Sequence, residues 1–418
     1  MEIESNNQQY QSFIDEIIAS PRDEAARLVF ADYLEEVGDP RAELIRIQFE
    51  LGDLAPFDKR RQKLRTRERR VARQHGWFTS VPKEAIVRDT YGGFIDSVEM
   101  TVTRFLKHHE ALFSSSPIRK VALKGKSVKF QKLAEVENLQ RLAQLQMFSN
   151  DVEASAYCDL VRSPYLQDLE ALKISCSRSH FELMHCIGKD EPFEALKHLE
   201  LHGYGTEANE REAAVELAGS EKMQSLLSLS LSSQFDSSIR LLTNSANLQN
   251  VNTLHMAGRF SDKSVRAIQT GLQNLTSLSV QTYMHNSADA FNVSGPLPDL
   301  KFLVVGSDMP NSAVENIVSR YPNLKTLDLA QNQVNDKGAQ VLAESPVLKS
   351  LERLVLTGNR LTLKGVRTLV DSPHWHDDLN LYLTSNQLTG LQMQALRKEF
   401  GSKFGNFGDI RWMLKAGR

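Results

Sequence analysis

A nine-residue pattern that returns at a regular distance constrains this chain more than any other feature. Leucine occupies its first, fourth and sixth positions and asparagine its ninth, and the clearest copies are Leu324–Asn332 and Leu351–Asn359. A third copy, Asp378–Asn386, departs only at the first position. The three asparagines are therefore 27 residues apart each time. Such a period predicts an array of units that pack on their neighbours, because one unit cannot bury its apolar side alone.

The same pattern extends in weaker form back to residue 95. First positions fall at 95, 118, 142, 169, 196, 226, 251, 275, 300, 324, 351 and 378, which makes twelve units. The fourth and sixth positions alternate as in a short strand, and helically spaced apolar residues follow in segments such as 336–344 and 364–370. The predicted fold class is α/β: a curved solenoid with parallel strands on its concave face and helices on its convex face, behind an all-helical N-terminal module. We expect Asn332, Asn359 and Asn386 to be structural residues that bond backbone groups where the chain leaves each strand.

Two resemblances follow from these residues. The repeat resembles the leucine-rich repeat, and its length resembles the ribonuclease-inhibitor-like class. Residues 23–48, DEAARLVFADYLEEVGDPRAELIRIQ, are similar to the bacterial repeat-companion domain, and the similarity continues through 93–100 and 105–113. That domain is known as an N-terminal attachment to leucine-rich-repeat arrays. The resemblance implies a bacterial protein of this architecture, but no biochemical activity, since the companion family has none established.

Three parts are predicted along the chain. A helical companion module spans 1–93 and includes a basic helix at 59–73, the repeat array spans 94–390, and a C-terminal cap spans 391–418. Within the module, Ser20 is expected as a helix N-cap with Pro21 at the first helical position, and Gly38 as a helix end. Residues 91–93, Tyr-Gly-Gly, are typical of a turn into the first strand, and 410–414 alternate like one more strand.

Composition narrows the environment and the partners. Lys+Arg number 50 and Asp+Glu 52, so the net charge of -2 gives no overall attraction to nucleic acid or membranes. Three cysteines are too few for a disulfide framework, which favours a reducing compartment. The N-terminus lacks the apolar segment of a secretory signal, and no run approaches the length of a membrane helix. A cytoplasmic location without membrane insertion is therefore expected.

The concave face is the predicted binding surface. Template positions three, five and seven alternate with the inward leucines and should line it. Aromatic, apolar and arginine side chains are typical of binding hot spots, and they concentrate in units nine to twelve. The alternative is that Phe302 and Val304 only suit β-structure or lie under a neighbouring loop. The residues predicted to contact a protein partner are Phe302, Val304, Arg353, Val355 and Tyr382, together with His198, Glu200, His202 and His255.

Catalysis and metal binding have little support in the sequence. No phosphate-binding loop, nucleophile elbow or zinc-protease helix is present. Residues His198, Glu200 and His202 could bind a metal or sense pH, and Cys176, His180, His185 and Cys186 form a second group, but their spacing matches no common zinc module. No enzyme, metal site or cofactor is therefore predicted. Regulation of a partner GTPase, as in some ribonuclease-inhibitor-like proteins, is kept as a lesser alternative.

The main alternative function rests on residues 59–73, KRRQKLRTRERRVAR. This segment holds nine cations and one glutamate, for a net charge of +8, whereas residues 1–58 have a net charge of -10. A helix with this charge, followed by Trp77 and Phe78, could bind nucleic acid or another anionic surface. It could equally neutralise the acidic module within the chain or form a solvated face. The residues predicted for this basic patch are Arg60, Arg61, Arg65, Arg69 and Arg70.

Overall fold

The computed structural model describes residues 2–54, 58, 60–75, 81–125, 130–149, 154–176, 180–190, 193–203, 207–259, 261–282, 297–306 and 309–400. Predictions for Lys59, Trp77, Phe78 and residues 401–418 lie outside these ranges. The chain divides into two compact units. Unit 1 comprises Met1–Arg178 and Pro192–Leu196, and unit 2 comprises Ser179–Glu191 and Lys197–Arg418.

Unit 1 begins with helices and continues with strands. The helices are α1 (Glu2–Ala19), α2 (Glu24–Glu36), α3 (Arg41–Asp53), α4 (Arg60–His75), α5 (Val102–Ser115), α6 (Phe130–Ala134) and α7 (Ala154–Val161). The strands are β1 (Ile86–Tyr91), β2 (Phe94–Thr101), β3 (Lys120–Lys124), β4 (Gln144–Ser149) and β5 (Ala171–Cys176). Strand β1 pairs antiparallel with β2, and the strands from β2 to β5 pair in parallel. The first four helices form the expected helical module, but β1 within 86–91 was not predicted.

The start of α2 also differs from the prediction. Its N-cap is Asp23, whose carboxylate accepts hydrogen bonds from the backbone N–H groups of Ala25 and Ala26. Ser20 therefore does not cap this helix. The carboxylate of Asp23 is placed to satisfy the first free N–H groups, which is the usual role of aspartate at this position. Gly38 follows the helix end with φ of +74°, as a terminating glycine does.

Polar side chains of the module hold the turn between β1 and β2. Both turn residues, Gly92 and Gly93, have positive φ, which a tight two-residue hairpin of this kind requires. Arg27 donates to the carbonyl oxygen of Tyr91 over 2.9 Å, and Arg41 donates through Nε to that of Gly93 over 3.0 Å. The side-chain oxygen of Gln48 accepts from the N–H of Gly93 over 2.8 Å. Helices α2 and α3 are thus bonded directly to the strand that opens the array.

Unit 2 alternates strands and helices. The strands are β6 (His198–His202), β7 (Ser228–Phe235), β8 (Thr253–Arg259), β9 (Ser277–Thr282), β10 (Phe302–Gly306), β11 (Thr326–Asp328), β12 (Arg353–Val355) and β13 (Asn380–Tyr382). The helices are α8 (His180–Asp190), α9 (Glu207–Gly219), α10 (Asp236–Thr243), α11 (Asp262–Gly271), α12 (Asn311–Arg320), α13 (Asp336–Glu344), α14 (Val347–Ser350), α15 (Leu363–Val370) and α16 (Gly390–Phe400). Its strands pair in parallel in chain order. Each of the twelve predicted sequence repeats thus contains one strand, from β2 in the first repeat to β13 in the last.

The core of unit 2 is built from the template leucines. The fourth-position leucines lie in register on adjacent strands and are almost completely buried. They are Leu199, Leu229, Leu254, Leu278, Leu303, Leu327, Leu354 and Leu381. Burying a leucine side chain contributes about 2 kcal/mol. This repeated contribution fixes which face of each strand points inward.

The repeated asparagines bond the backbone of the preceding unit. The side-chain oxygen of Asn359 accepts from the N–H of Val334 over 3.0 Å, and its nitrogen donates to the carbonyl of Leu329 over 2.7 Å. Asn332 accepts in the same way from Met309, and Asn386 accepts from Leu361. The residues just before them, Gln331, Gly358 and Ser385, have φ between +57° and +69°. This left-handed conformation turns the side chain of each asparagine toward the backbone of the preceding repeat.

Candidate protein-binding surface

The parallel strands of unit 2 bring the same template positions side by side on one face. The third-position row is His198, Ser228, Thr253, Ser277, Phe302, Thr326, Arg353 and Asn380. The fifth-position row is Glu200, Ser230, His255, Ser279, Val304, Asp328, Val355 and Tyr382. We call these two rows the strand face. Neighbouring strands lie about 4.8 Å apart, so the predicted imidazole and apolar residues lie along one side of the sheet within unit 2.

The alternation of side chains explains why this face is distinct from the core. On β6, the leucines at 199 and 201 are buried, whereas His198, Glu200 and His202 are partly exposed. A strand directs successive side chains to opposite sides, and the leucines occupy the helix-covered side. The strand face is therefore left to the polar and aromatic residues of the third and fifth positions.

The strand face from β10 to β13 carries the predicted apolar and aromatic residues. The guanidinium carbon of Arg353 lies 5.3 Å from the ring centre of Tyr382, which is within cation–π distance. Phe302, Val355 and Tyr382 are partly exposed. Val304 is only 8% exposed, so the strand face is less accessible at β10 than predicted. The accessible portion is centred on β12 and β13.

Two residues on the strand between the predicted binding residues of β10 and β12 were not predicted from the sequence. Asp328 and Thr326 lie on β11, between the strands that carry Val304 and Val355, and they are 2% and 0% exposed. Asp328 accepts a hydrogen bond from the N–H of Ala330 over 2.9 Å. Burial raises the pKa of its carboxyl above the ordinary value, against the opposing effects of that hydrogen bond and of the positive charge on Arg353. The sequence did contain a signal for this pair: the tenth repeat, which starts at Leu324, has polar residues at its third and fifth positions, whereas Val304 and Val355 occupy the fifth position of the repeats on either side.

The strand face from β6 to β9 is polar. Nε2 of His202 lies 3.1 Å from a carboxylate oxygen of Glu200 and 3.3 Å from the hydroxyl of Ser230. Nδ1 of His255 lies 2.8 Å from the hydroxyl of Ser279. Burial, and to a lesser degree the nearby His202, lower the pKa of His255 to about 4. At neutral pH His255 is therefore an uncharged hydrogen-bonding group.

This polar arrangement differs from a catalytic relay. In a serine–histidine–acid triad, the acid and the hydroxyl bind opposite nitrogens of the imidazole. Here Glu200 and Ser230 both approach Nε2 of His202. His255 does face a serine, but a general base works best with a pKa near the operating pH, well above 4. The arrangement is suited to hydrogen bonding rather than to proton transfer from a nucleophile.

The two groups considered for metal binding are placed as follows. His198, Glu200 and His202 lie on β6, while Cys176 ends β5 and His180, His185 and Cys186 belong to α8. Within the described residues, no group of three or more histidine, cysteine, aspartate or glutamate side chains has a geometry that could hold a metal ion. The absence of a metal site therefore remains a prediction for the whole chain.

The basic segment forms helix α4, and part of its charge is used inside unit 1. Arg60 pairs with Asp58 at 2.7 Å, Arg65 with Glu68 at 2.9 Å, and Arg67 with Glu43 at 2.6 Å. Arg61 donates to the carbonyl oxygens of Leu51 and Leu54 at the end of α3. Arg69 and Arg70 are exposed. Three of the five predicted patch residues, Arg60, Arg61 and Arg65, thus make contacts within unit 1.

No helix in the described part of the chain combines the length and apolar character that crossing a membrane requires. The cytoplasmic location stays a prediction.

Comparisons with known proteins bear on the repeat. A family model described as "Leucine Rich repeat" matches residues 322–343. No curated protein matches the chain significantly. One similar solved structure, a Bacteroides fragilis protein, has 17% identity and a TM-score of 0.39, and the match covers 65% of this chain and 78% of that one. A chain of the yeast Rad7 and Elc1 complex has 12% identity and a TM-score of 0.47, with 88% and 87% covered.

The matched segment contains β11, and the same leucine template supplies the buried residues of each strand from β6 to β13. The sequence template, the regular parallel strands and the family match agree. Residues 322–343 are therefore similar to a leucine-rich repeat, and the neighbouring strands of unit 2 repeat the same template.

Proposed function

We propose that this protein is a non-catalytic scaffold or adaptor that binds a protein partner through the strand face of β10 to β13. The observation that carries the proposal is the cation–π pair of Arg353 and Tyr382 on adjacent strands, with the partly exposed Val355 on the strand of Arg353. Phe302, also partly exposed, lies two strands from Arg353 in the same row. Arginine and aromatic side chains supply most of the binding energy in protein interfaces. Held by a rigid sheet, they lose little conformational freedom on binding.

The polar part of the strand face supports a role in specificity. Glu200, Ser230 and His255 offer hydrogen-bonding groups at fixed spacing along the fifth-position row, and His202 lies within hydrogen-bonding distance of Glu200 and Ser230. A polar region next to an aromatic one is the usual composition of a protein interface, with an apolar centre and a hydrogen-bonding margin. The lack of a triad geometry in this group supports the non-catalytic part of the proposal.

Photocrosslinking tests this proposal. A photoreactive amino acid at exposed Asn380, on the strand face, should crosslink one discrete protein in a lysate of the source organism. The same amino acid at exposed Lys337, on helix α13, is the matched control and should not. Adding Arg353→Ala and Tyr382→Ala to the Asn380 probe should abolish the product. Equal crosslinking from both positions would remove the strand face as the binding site.

The other candidates rest on other observations. Binding of nucleic acid or another anionic partner, the main alternative, would use other residues, the exposed cations of α4. Regulation of a partner GTPase has no further residue in the described chain that favours it, so it stays a prediction from the resemblance.

A further inference from the structure

Helix α4 has two sides with different roles. Leu64, Glu68 and Val71 lie three or four residues apart and face the interior of unit 1, where Glu68 accepts a hydrogen bond from the buried Gln48. The opposite side consists of three pairs of residues seven positions apart, each pair nearly aligned along the helix. These pairs are Gln62 with Arg69, Lys63 with Arg70, and Thr66 with Arg73, and all six are exposed.

Four of those outward residues, Lys63, Arg69, Arg70 and Arg73, are cations. Across the described residues, they make no ion pair with a side chain of unit 1. The carboxylates that lie against α4 are instead engaged by other residues of the same helix. Glu43 pairs with Arg67, Glu68 with Arg65, and Asp58 and Glu50 with Arg60. The outward charge is therefore not compensated by ion pairs with the described residues of unit 1.

The four cations, which we call the outward quartet, extend over eleven residues of helix, a rise of about 15 Å from Lys63 to Arg73. Double-stranded nucleic acid carries about one negative charge per 1.7 Å of its axis, so several phosphates come within reach of a stripe of this length. Gln62 adds a neutral side-chain amide of the kind that also binds phosphate oxygens. The apolar residues of α4 face the other way, and an interfacial membrane helix needs an apolar side directed at the lipid.

From this we infer that the outward quartet of α4 is a binding site for the phosphate backbone of duplex nucleic acid. It shares no residue with the strand face, and binding through it is independent of base sequence. The site contains neither Arg60, Arg61 nor Arg65, because their guanidinium groups already contact carboxylate or carbonyl oxygens of unit 1. Only about four phosphates are neutralised, so the logarithm of the association constant falls with the logarithm of salt concentration with a slope of about -3.6.

Fluorescence anisotropy of a labelled 20-base-pair duplex, with DNA and RNA as separate arms, tests the site in the full chain. Wild type should bind at 50 mM salt and weaken about 100-fold by 200 mM salt. Replacing Lys63, Arg69, Arg70 and Arg73 with glutamine should abolish this binding, while glutamine preserves helix propensity. The matched control removes the same charge from four exposed lysines on other helices, Lys132, Lys189, Lys263 and Lys349, and should bind like wild type.

Circular dichroism melts keep the comparison valid, since both variants should unfold at the wild-type temperature. Three results would overturn the inference: no duplex binding by wild type at 50 mM salt, equal loss in the control variant, or binding of vesicles of phosphatidylserine and phosphatidylcholine without binding of either duplex. The last result would assign the quartet to a membrane surface. Binding of one base sequence far above others would also contradict a site that contacts only the backbone.

Discussion

Nε of Arg41 donates a hydrogen bond to the carbonyl oxygen of Gly93 over 3.0 Å, which ties helix α3 to the turn between β1 and β2. The guanidinium also lies 4.2 Å from the ring centre of Phe94 and donates to the hydroxyl of Tyr10. Arg41, Arg27 and Gln48 all belong to the segment that resembles the companion domain, and all three bond this turn. The polar residues of that segment therefore have a structural task at the beginning of the array.

The first prediction follows from this contact. Arg41→Ala should lower the free energy of unfolding of unit 1 by about 3 kcal/mol, because it leaves the buried carbonyl of Gly93 without its donor and removes a packed side chain. Denaturant titration followed by hydrogen exchange of the amides at 86–101 measures the effect. Arg46→Ala is the control: Arg46 pairs with Asp32 and Glu35 on the surface, so its loss should cost less than about 1 kcal/mol. Equal losses in the two variants would contradict the assigned role.

The asparagines give a graded prediction. Asn359 is buried and bonds the backbone of the preceding unit at both ends of its amide, so Asn359→Ala should cost about 3 kcal/mol. Asn386 makes the same kind of bonds but is partly exposed, and water can replace them. Asn386→Ala should therefore cost only about 1 kcal/mol. Chemical denaturation of both variants measures the difference, and a larger loss at Asn386 would be inconsistent with this explanation.

The left-handed turn before each asparagine allows one stabilising change. Ser385 is exposed and has φ of +57°, a conformation that costs a residue with a Cβ about 1 kcal/mol or more. Ser385→Gly should raise the unfolding free energy by about 0.5 kcal/mol, since the added freedom of the unfolded chain offsets part of the gain. Ser385→Ala keeps the Cβ and should change little. Thermal melts compare the two, and stabilisation by alanine would refute the conformational explanation.

A pH prediction concerns His255. Its folded pKa of about 4 lies below the ordinary 6.5, so the unfolded chain binds more protons between these values. The stability associated with neutral His255 is fully present above pH 6.5 and is lost as the pH falls toward 4. Lowering the pH from 7 to 5 should cost about 1–2 kcal/mol through this group, and His255→Gln should remove that part.

Nuclear magnetic resonance titration checks the same group directly. His202 and Glu200 face His255, with opposite effects on its pKa, so Glu200→Gln should lower the pKa further. A titration midpoint of His255 near 6.5 in the folded protein would contradict the assignment.

The array was predictable because its signal is repeated. An inward leucine recurs at a constant template position, so the start of each strand and the register of its neighbours follow from the spacing. The register then places Glu200 and Tyr382 in one row although they are far apart in sequence. Local chemistry repeated many times determined this part of the fold.

Strand β1 was not predictable by the same means. Residues 86–91 carry no alternating apolar pattern, and Ile86 and Val87 are exposed. The strand is held by Arg27 and Gln48 from distant helices, and such contacts leave no periodic signal.

The distinction between the paired and the outward-facing cations of α4 could not be predicted from the sequence either. Composition gave a net charge of +8 for the segment, but only the structure shows that Arg60, Arg65 and Arg67 are paired. Asp328 was not predicted because the hot-spot pattern used for units nine to twelve consists of apolar, aromatic and arginine side chains, which does not include a carboxylate.

The most direct test of the scaffold proposal is the affinity of the crosslinked protein, once purified, for this chain. Isothermal titration calorimetry should give at least a 30-fold weaker Kd for the Arg353→Ala/Tyr382→Ala variant than for wild type, about 2 kcal/mol, as expected for hot-spot residues. The variant in which the four cations of the outward quartet are replaced with glutamine should bind the same protein with wild-type affinity. Unchanged affinity of the Arg353→Ala/Tyr382→Ala variant would contradict the claim that this strand face binds the partner.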